Sequence, residues 1–128
     1  MSKKVLAAPH TPQALGPYSN ATSYNGLLFL AGQMPIDPAS NQVPADIKEQ
    51  ITVLMKNMQA TLKHAGADFK DILSTTIYLT DLNDYQVVNE VYASFFDGQY
   101  PARATVGVKD LLKGCKVEIA AIAALPEK

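Results

Sequence analysis

Between Asp46 and Gly66, the residues Ile47, Ile51, Leu54, Met55, Met58 and Leu62 recur at three- and four-residue steps. That spacing places them on one face of an α-helix, and a helix with one apolar face must be covered by something else. Asp46 followed by Glu49 resembles a capping box, Lys63 and His64 suit the negative end of the helix dipole, and Gly66 supplies a left-handed stop. A second helix is expected to start at Asn83 or Asp84, to carry Val87, Val88, Val91, Tyr92, Phe95 and Phe96 on one stripe, and to close at Gly98. The methionines and leucines of these stripes are read as core rather than as a ligand box.

The remaining apolar segments are strand-sized. Asn25-Gly26 reads as a hairpin turn feeding a strand over residues 27–31, and residues 37–41 read as a turn. Residues 72–80 alternate, with Leu73, Ile77 and Leu79 pointing one way and Ser74, Thr76, Tyr78 and Thr80 the other. Two more strands, over residues 102–108 and 116–124, are joined by residues 109–115. Six of the eight prolines and three of the seven glycines lie in the part through Pro44, where they punctuate short extended segments, and no internal repeat or low-complexity tract is present. A chain of 128 residues reads as one α+β domain, long enough to bury a core without disulfides.

Composition excludes several functions. Eleven basic against twelve acidic side chains give a net charge of -1, which disfavours a nucleic-acid partner. Cys115 is the single cysteine, so neither an intrachain disulfide nor a thiolate metal cage is available, and a reducing cytoplasm is the expected compartment. The apolar stretch from Val5 to Ala8 is stopped by Pro9 before it reaches signal-peptide length, and no run is long enough to span a membrane. Asn20-Ala21-Thr22 matches the glycosylation triplet by chance. His10 and His64 fit no metal spacing, and Gly16, Gly26, Gly32 and Gly66 form no phosphate-binding loop.

If the last two strands pair antiparallel with Val108 opposite Cys115, Thr105 falls opposite Glu118 and Arg103 opposite Ala120. Arg103, Thr105 and Glu118 then share one face with the bare Gly107, while Ala104, Val106, Val117 and Ile119 face the core. A carboxylate set among Val117, Ile119 and Ala120 costs several kcal/mol unless it is partnered, by an order-of-magnitude reckoning of about that size. A structural Arg103–Glu118 ion pair and a functional site both answer this. Arg103 is also the sole arginine among the eleven basic residues, and a guanidinium offers a bidentate fork for a carboxylate.

Pro101-Ala102-Arg103-Ala104-Thr105-Val106, then Lys116-Val117-Glu118-Ile119 and Ala121-Ile122-Ala123, resemble the C-terminal hallmark of the reactive intermediate deaminase (RidA, or YjgF-type, L-PSP endoribonuclease-like) family. Gly16-Pro17-Tyr18-Ser19, the segment from Ala31 to Pro38, Thr75 to Leu82 and Val88-Asn89-Glu90-Val91-Tyr92 resemble its upstream blocks, in the same order. The resemblance implies a chorismate-mutase-like α+β fold, a mixed sheet with two helices on one face. It also implies a homotrimer with ligand clefts between subunits.

By the same resemblance the substrates are enamines and imines of 2-keto acids, such as 2-aminoacrylate and 2-aminocrotonate, hydrolysed to keto acid and ammonia as by a 2-iminobutanoate/2-iminopropanoate deaminase. Arg103 would hold the substrate carboxylate and Glu118 would direct water and protons. Tyr18 from a neighbouring subunit would close the cleft, with Gly32, Thr105 and Asn89 completing it. No cofactor or metal is implied, because an imine carbon is already electrophilic. Ala31 stands where many members carry Ser, and Thr105 where many carry Cys. A noncatalytic binder of small carboxylates or keto acids, and an endoribonuclease or translation inhibitor, are the competing readings.

Overall fold

The structure is a computed structural model that describes residues 2–126. Its strands are β1 (Lys4–Leu6), β2 (Ala21–Tyr24), β3 (Leu27–Gln33), β4 (Ile72–Leu79), β5 (Ala102–Gly107) and β6 (Val117–Ala124), and its helices are α1 (Ile47–His64) and α2 (Tyr85–Ser94). They form one sheet in the order β1-β2-β3-β6-β4-β5. The expected α+β domain with a mixed sheet is what the structure shows.

Local chemistry accounts for the element boundaries. Asn25 and Gly26, with φ of 52° and 80°, make the two-residue turn that pairs Tyr24 with Leu27. Asp46 caps α1 by accepting from the Glu49 amide at 3.2 Å, and Gly66 at φ +85° ends it. α2 starts differently from expectation: Asp81 caps a short 3-10 turn, Leu82–Asp84, and Asp84 then makes no side-chain cap. In β4, a register shift between Ile72 and Ser74 turns Leu73 outward, so Ile72 and Thr75 join Ile77 and Leu79 inside.

The pairing expected for the last two strands does not occur. β6 inserts between β3 and β4, antiparallel to both, and β5 lies outside β4 and parallel to it. The reason is visible in burial. Val117, Ile119, Ala121 and Ala123 are all buried, as a central strand requires, whereas β5 carries only exposed and half-buried residues, as an edge strand tolerates. The crossover from β4 to β5 passes through α2, which permits a parallel pair.

The core lies between the helices and one sheet face, where Ile51, Leu54, Met55, Met58 and Leu62 pack with Leu28, Leu30, Ile77, Leu79, Val117 and Ile119. One stripe of α1 is polar yet buried. Gln50 donates to the Pro44 carbonyl and accepts from the Lys116 amide, Asn57 donates to the carbonyls of Met34 and Ile36, and Thr61 donates to Asn20 Oδ1. These bonds tie α1 to the segments that precede β2, follow β3 and precede β6. The opposite sheet face exposes Leu27, Phe29, Val106 and Ile122.

Candidate active site in two halves

The register separates the two charged residues. Arg103 is level with Thr75, which is buried and shares a 2.8 Å hydrogen bond with the Tyr92 hydroxyl of α2, so Arg103 and Thr105 project on the helix side. Glu118 is level with Tyr78, and through it with Val106, on the open side. Within one chain, therefore, Arg103 and Glu118 do not share a face, and Ala104 and Val106 are outside the core that sequence alone gave them. The intrachain Arg103–Glu118 ion pair is ruled out as well. Among the described residues the ion pair present is Lys70–Asp71, at 3.5 Å.

Glu118 sits beside an irregularity in β3. Leu30 pairs with Ala121 and Gln33 with Ile119, so Ala31 and Gly32 together oppose a single residue of β6, a β-bulge. A β-carbon on Gly32 would collide with the Glu118 carboxylate. Glycine is what lets the carboxylate lie against the β3 backbone. Burial pushes the Glu118 carboxyl above its ordinary pKa. Ala31, Gly32 and Tyr18 line a small recess of about 40 Å³ beside it. Tyr18 is held in its own loop, its hydroxyl accepting from the Leu15 amide at 3.1 Å, and the Asn20 carbonyl fixes the Ala31 amide at 3.0 Å.

The second group surrounds Arg103 at the sheet edge. Its guanidinium lies 5.1 Å from the Tyr92 ring centre and 5.6 Å from that of Tyr85, and Nη2 donates to the Tyr85 hydroxyl at 3.0 Å. Leu82, Tyr85, Arg103 and Thr105 line an open cleft of about 490 Å³, adjoined by one of about 320 Å³ that includes Asn89, Tyr92 and Tyr100. Two buried polar atoms here lack any hydrogen-bond partner, Asn89 Oδ1 and Thr105 Oγ1. Such atoms are expensive, and their concentration around a cation that has no ion pair among the described residues marks this region as built for more than packing.

The family described as Endoribonuclease L-PSP matches residues 8–125. A mouse protein named 2-iminobutanoate/2-iminopropanoate deaminase is 42% identical over 122 residues, covering 94% of this chain and 90% of its own. The chain belongs to the RidA/YjgF/L-PSP family. Among solved structures of this family, YyfA of Yersinia pestis superposes with a TM-score of 0.94 at 41% identity over 97% of this chain and 100% of its own. Escherichia coli TdcF with bound serine gives 0.92 at 37% identity over 96% and 99%.

For this RidA-family chain, the six residues singled out in the sequence fall into two groups: Tyr18, Gly32 and Glu118 in one, Asn89, Arg103 and Thr105 in the other. Tyr85 escaped sequence reasoning, and Tyr92 was read only as core. The signal was available, since positions 85, 89 and 92 are spaced to stand on one helix face. Cys115 is buried with Met34 and Ile36, and burial, with Glu118 nearby, pushes its thiol up.

Proposed function

We propose that the chain is an imine and enamine deaminase acting on small 2-imino and 2-amino-alkenoic acids, and that its cleft forms where the Glu118 half-site of one copy meets the Arg103 half-site of the next in a homotrimer. The observation that carries this reading is the separation itself. Each half-site has unspent chemistry on its own face, and the open sheet face presents Leu27, Phe29, Val106 and Ile122 for a second copy to cover. The family's mouse relative named as a deaminase and the TdcF structure with serine support the substrate class. The cytoplasm, where reactive enamines are released by dehydratases, is the matching compartment.

In that cleft Arg103 fixes the substrate carboxylate, and Glu118 accepts a proton from the water that adds to the C=N carbon, then returns it to the departing nitrogen. The products are a 2-keto acid and ammonia. A carboxyl whose pKa is raised toward neutrality is the stronger base for this task, and such proton transfer is worth roughly 100- to 10,000-fold. Tyr18 closes the cleft from the Glu118 side, Gly32 lets the carboxylate approach, and Asn89 and Thr105 line the Arg103 wall. A noncatalytic carboxylate binder is the second reading, since the Arg103 half-site can hold an anion without Glu118.

Mixing variants tests both the chemistry and the assembly. Arg103→Ala and Glu118→Gln are each expected to hydrolyse dehydratase-generated 2-aminoacrylate at least ~100-fold more slowly than wild type. Co-refolded in equal amounts, they should regain about a quarter of wild-type activity, because random cyclic assembly reunites an intact Arg103 with an intact Glu118 in that fraction of clefts. Full activity in either single variant refutes the deaminase reading. Dead single variants with no recovery on mixing refute the shared cleft. Keto-acid binding that needs Arg103, in a wild type without turnover, establishes the binder.

A further inference from the structure

Tyr85 stands at the mouth of the Arg103 cleft with 41% of its surface exposed, an aromatic residue whose polar end faces the space a ligand would take. Its oxygen already accepts from Arg103 Nη2 at 3.0 Å. A phenol that accepts one hydrogen bond still has its own O–H to donate. That proton is not given to the neighbouring amide oxygen, because Asn89 Oδ1 has no partner. A guanidinium offers five N–H groups, of which Tyr85 takes one; the rest of the fork stays available beside a second, differently directed donor.

We infer that Tyr85 is a carboxylate-binding residue, its hydroxyl donating to the same small anion that Arg103 holds, so that the half-site reads a carboxylate through a guanidinium and a phenol together. This rests on the reading of Arg103 as the carboxylate anchor and extends it to a residue on another element. The phenol and guanidinium hold each other in place, and the Tyr92 ring backs the guanidinium, so the two donors meet an incoming ligand with little rearrangement. The arrangement favours monocarboxylates over neutral amides, which offer one acceptor where two donors converge.

A pH signature separates this role from packing. The charged and polar groups facing the Tyr85 phenol are Arg103 from β5 and Asn89 from α2. Asn89 first and Arg103 second hold the phenol below its ordinary pKa, while burial raises that of Tyr92. Once ionised, Tyr85 can only accept, and it repels a carboxylate. Ligand affinity should therefore fall on the alkaline side as Tyr85 loses its proton.

The experiment is calorimetric titration of the assembled protein with 2-oxobutanoate, from neutral to alkaline pH, for wild type, Tyr85→Phe and Arg103→Ala. Tyr85→Phe removes one exposed hydroxyl and keeps the ring against the guanidinium. It should weaken binding about tenfold at neutral pH, the usual effect of one hydrogen bond to a charged group, and should abolish the alkaline decline. Unchanged affinity with the decline retained in Tyr85→Phe, while Arg103→Ala has lost binding, overturns the role of Tyr85 and leaves the Arg103 anchor standing. Undiminished binding in Arg103→Ala overturns the anchor, and the inference with it.

Discussion

Gly32→Ala places a single methyl group where the structure leaves no room. The new β-carbon would stand 2.8 Å from the Glu118 carboxyl carbon, against the 3.4 Å at which ordinary contact begins, so that carbon must retreat by at least 0.6 Å and the nearer carboxylate oxygen by more. The obstructing atoms are the end of a half-buried, flexible side chain, and Gly32 is not among the glycines at positive φ, so alanine costs the backbone little. The strain is relieved by Glu118 swinging aside, with a stability loss at or below the low end of the ~1–3 kcal/mol typical of overpacking. Catalysis has less tolerance: a displacement near 1 Å costs up to ~100-fold when it moves a group that must meet a water and a substrate together. Expected, then, is a 10- to 100-fold loss in kcat/KM in the coupled 2-aminoacrylate assay, about 1.4–2.7 kcal/mol of transition-state stabilisation, with Tm nearly unchanged. In a Gly32→Ala background, Glu118→Asp should cost less than it does alone, because the shorter side chain clears the methyl. Gly32→Ala with activity within twofold of wild type would falsify the claim that the bulge exists to seat this carboxylate.

Glu118→Gln should lower kcat by roughly 100- to 10,000-fold while making the protein more stable at neutral pH. Burial raises the folded-state pKa of Glu118, so the stability tied to its protonated form is complete below the unfolded-state value and is lost as pH climbs through the folded-state value. The stability gap between variant and wild type should close in acid, as followed by urea unfolding; a gap of the opposite sign would mean that a cation from the neighbouring copy pairs with Glu118. Asn57→Ala strips the donor from the Met34 and Ile36 carbonyls and should destabilise by about 2–4 kcal/mol, read from the urea midpoint. Cys115, buried and with its thiol pKa raised, should react with an aromatic disulfide reagent only after denaturation; rapid reaction of the native protein contradicts that placement.

Both helices and the four strands β3 to β6 were legible in the sequence, where Ile51, Leu54, Met55 and Met58 mark a helix face and Val117, Ile119 and Ala121 a strand face, whereas β1 and β2 are too short to carry a period and read only as extended segments. Strand neighbours are another matter. The short link between β5 and β6 looks like a hairpin in one dimension, and nothing local announces that β6 crosses to the far side of β4. The clue lay in β6 itself, whose apolar run from Ile119 to Ala124 suits a strand flanked on both sides, while Arg103, Thr105 and Gly107 suit an edge. That single misplacement reversed the face assigned to Arg103 and Thr105. Arg103, Thr105 and Glu118 were grouped by that assumed pairing, while Tyr18, Gly32 and Asn89 came from a family resemblance, which carries no information on which residues a single copy brings together. Tyr85 was missed because its partner Arg103 lies on another element, and its one local signal, the shared helix face with Asn89 and Tyr92, fits core packing as readily as a site.

The strand order also makes β6 the single joint of the sheet. β1, β2 and β3 can pair with one another, and β4 with β5 once α2 has formed, but only β6, last in chain order, ties these two partial sheets together. Without β6 the two partial sheets share no strand pairing, and the Gly32 bulge lacks the carboxylate it accommodates. The final strand therefore acts as a keystone: the same pairing that closes the sheet seats Glu118 against the Gly32 bulge.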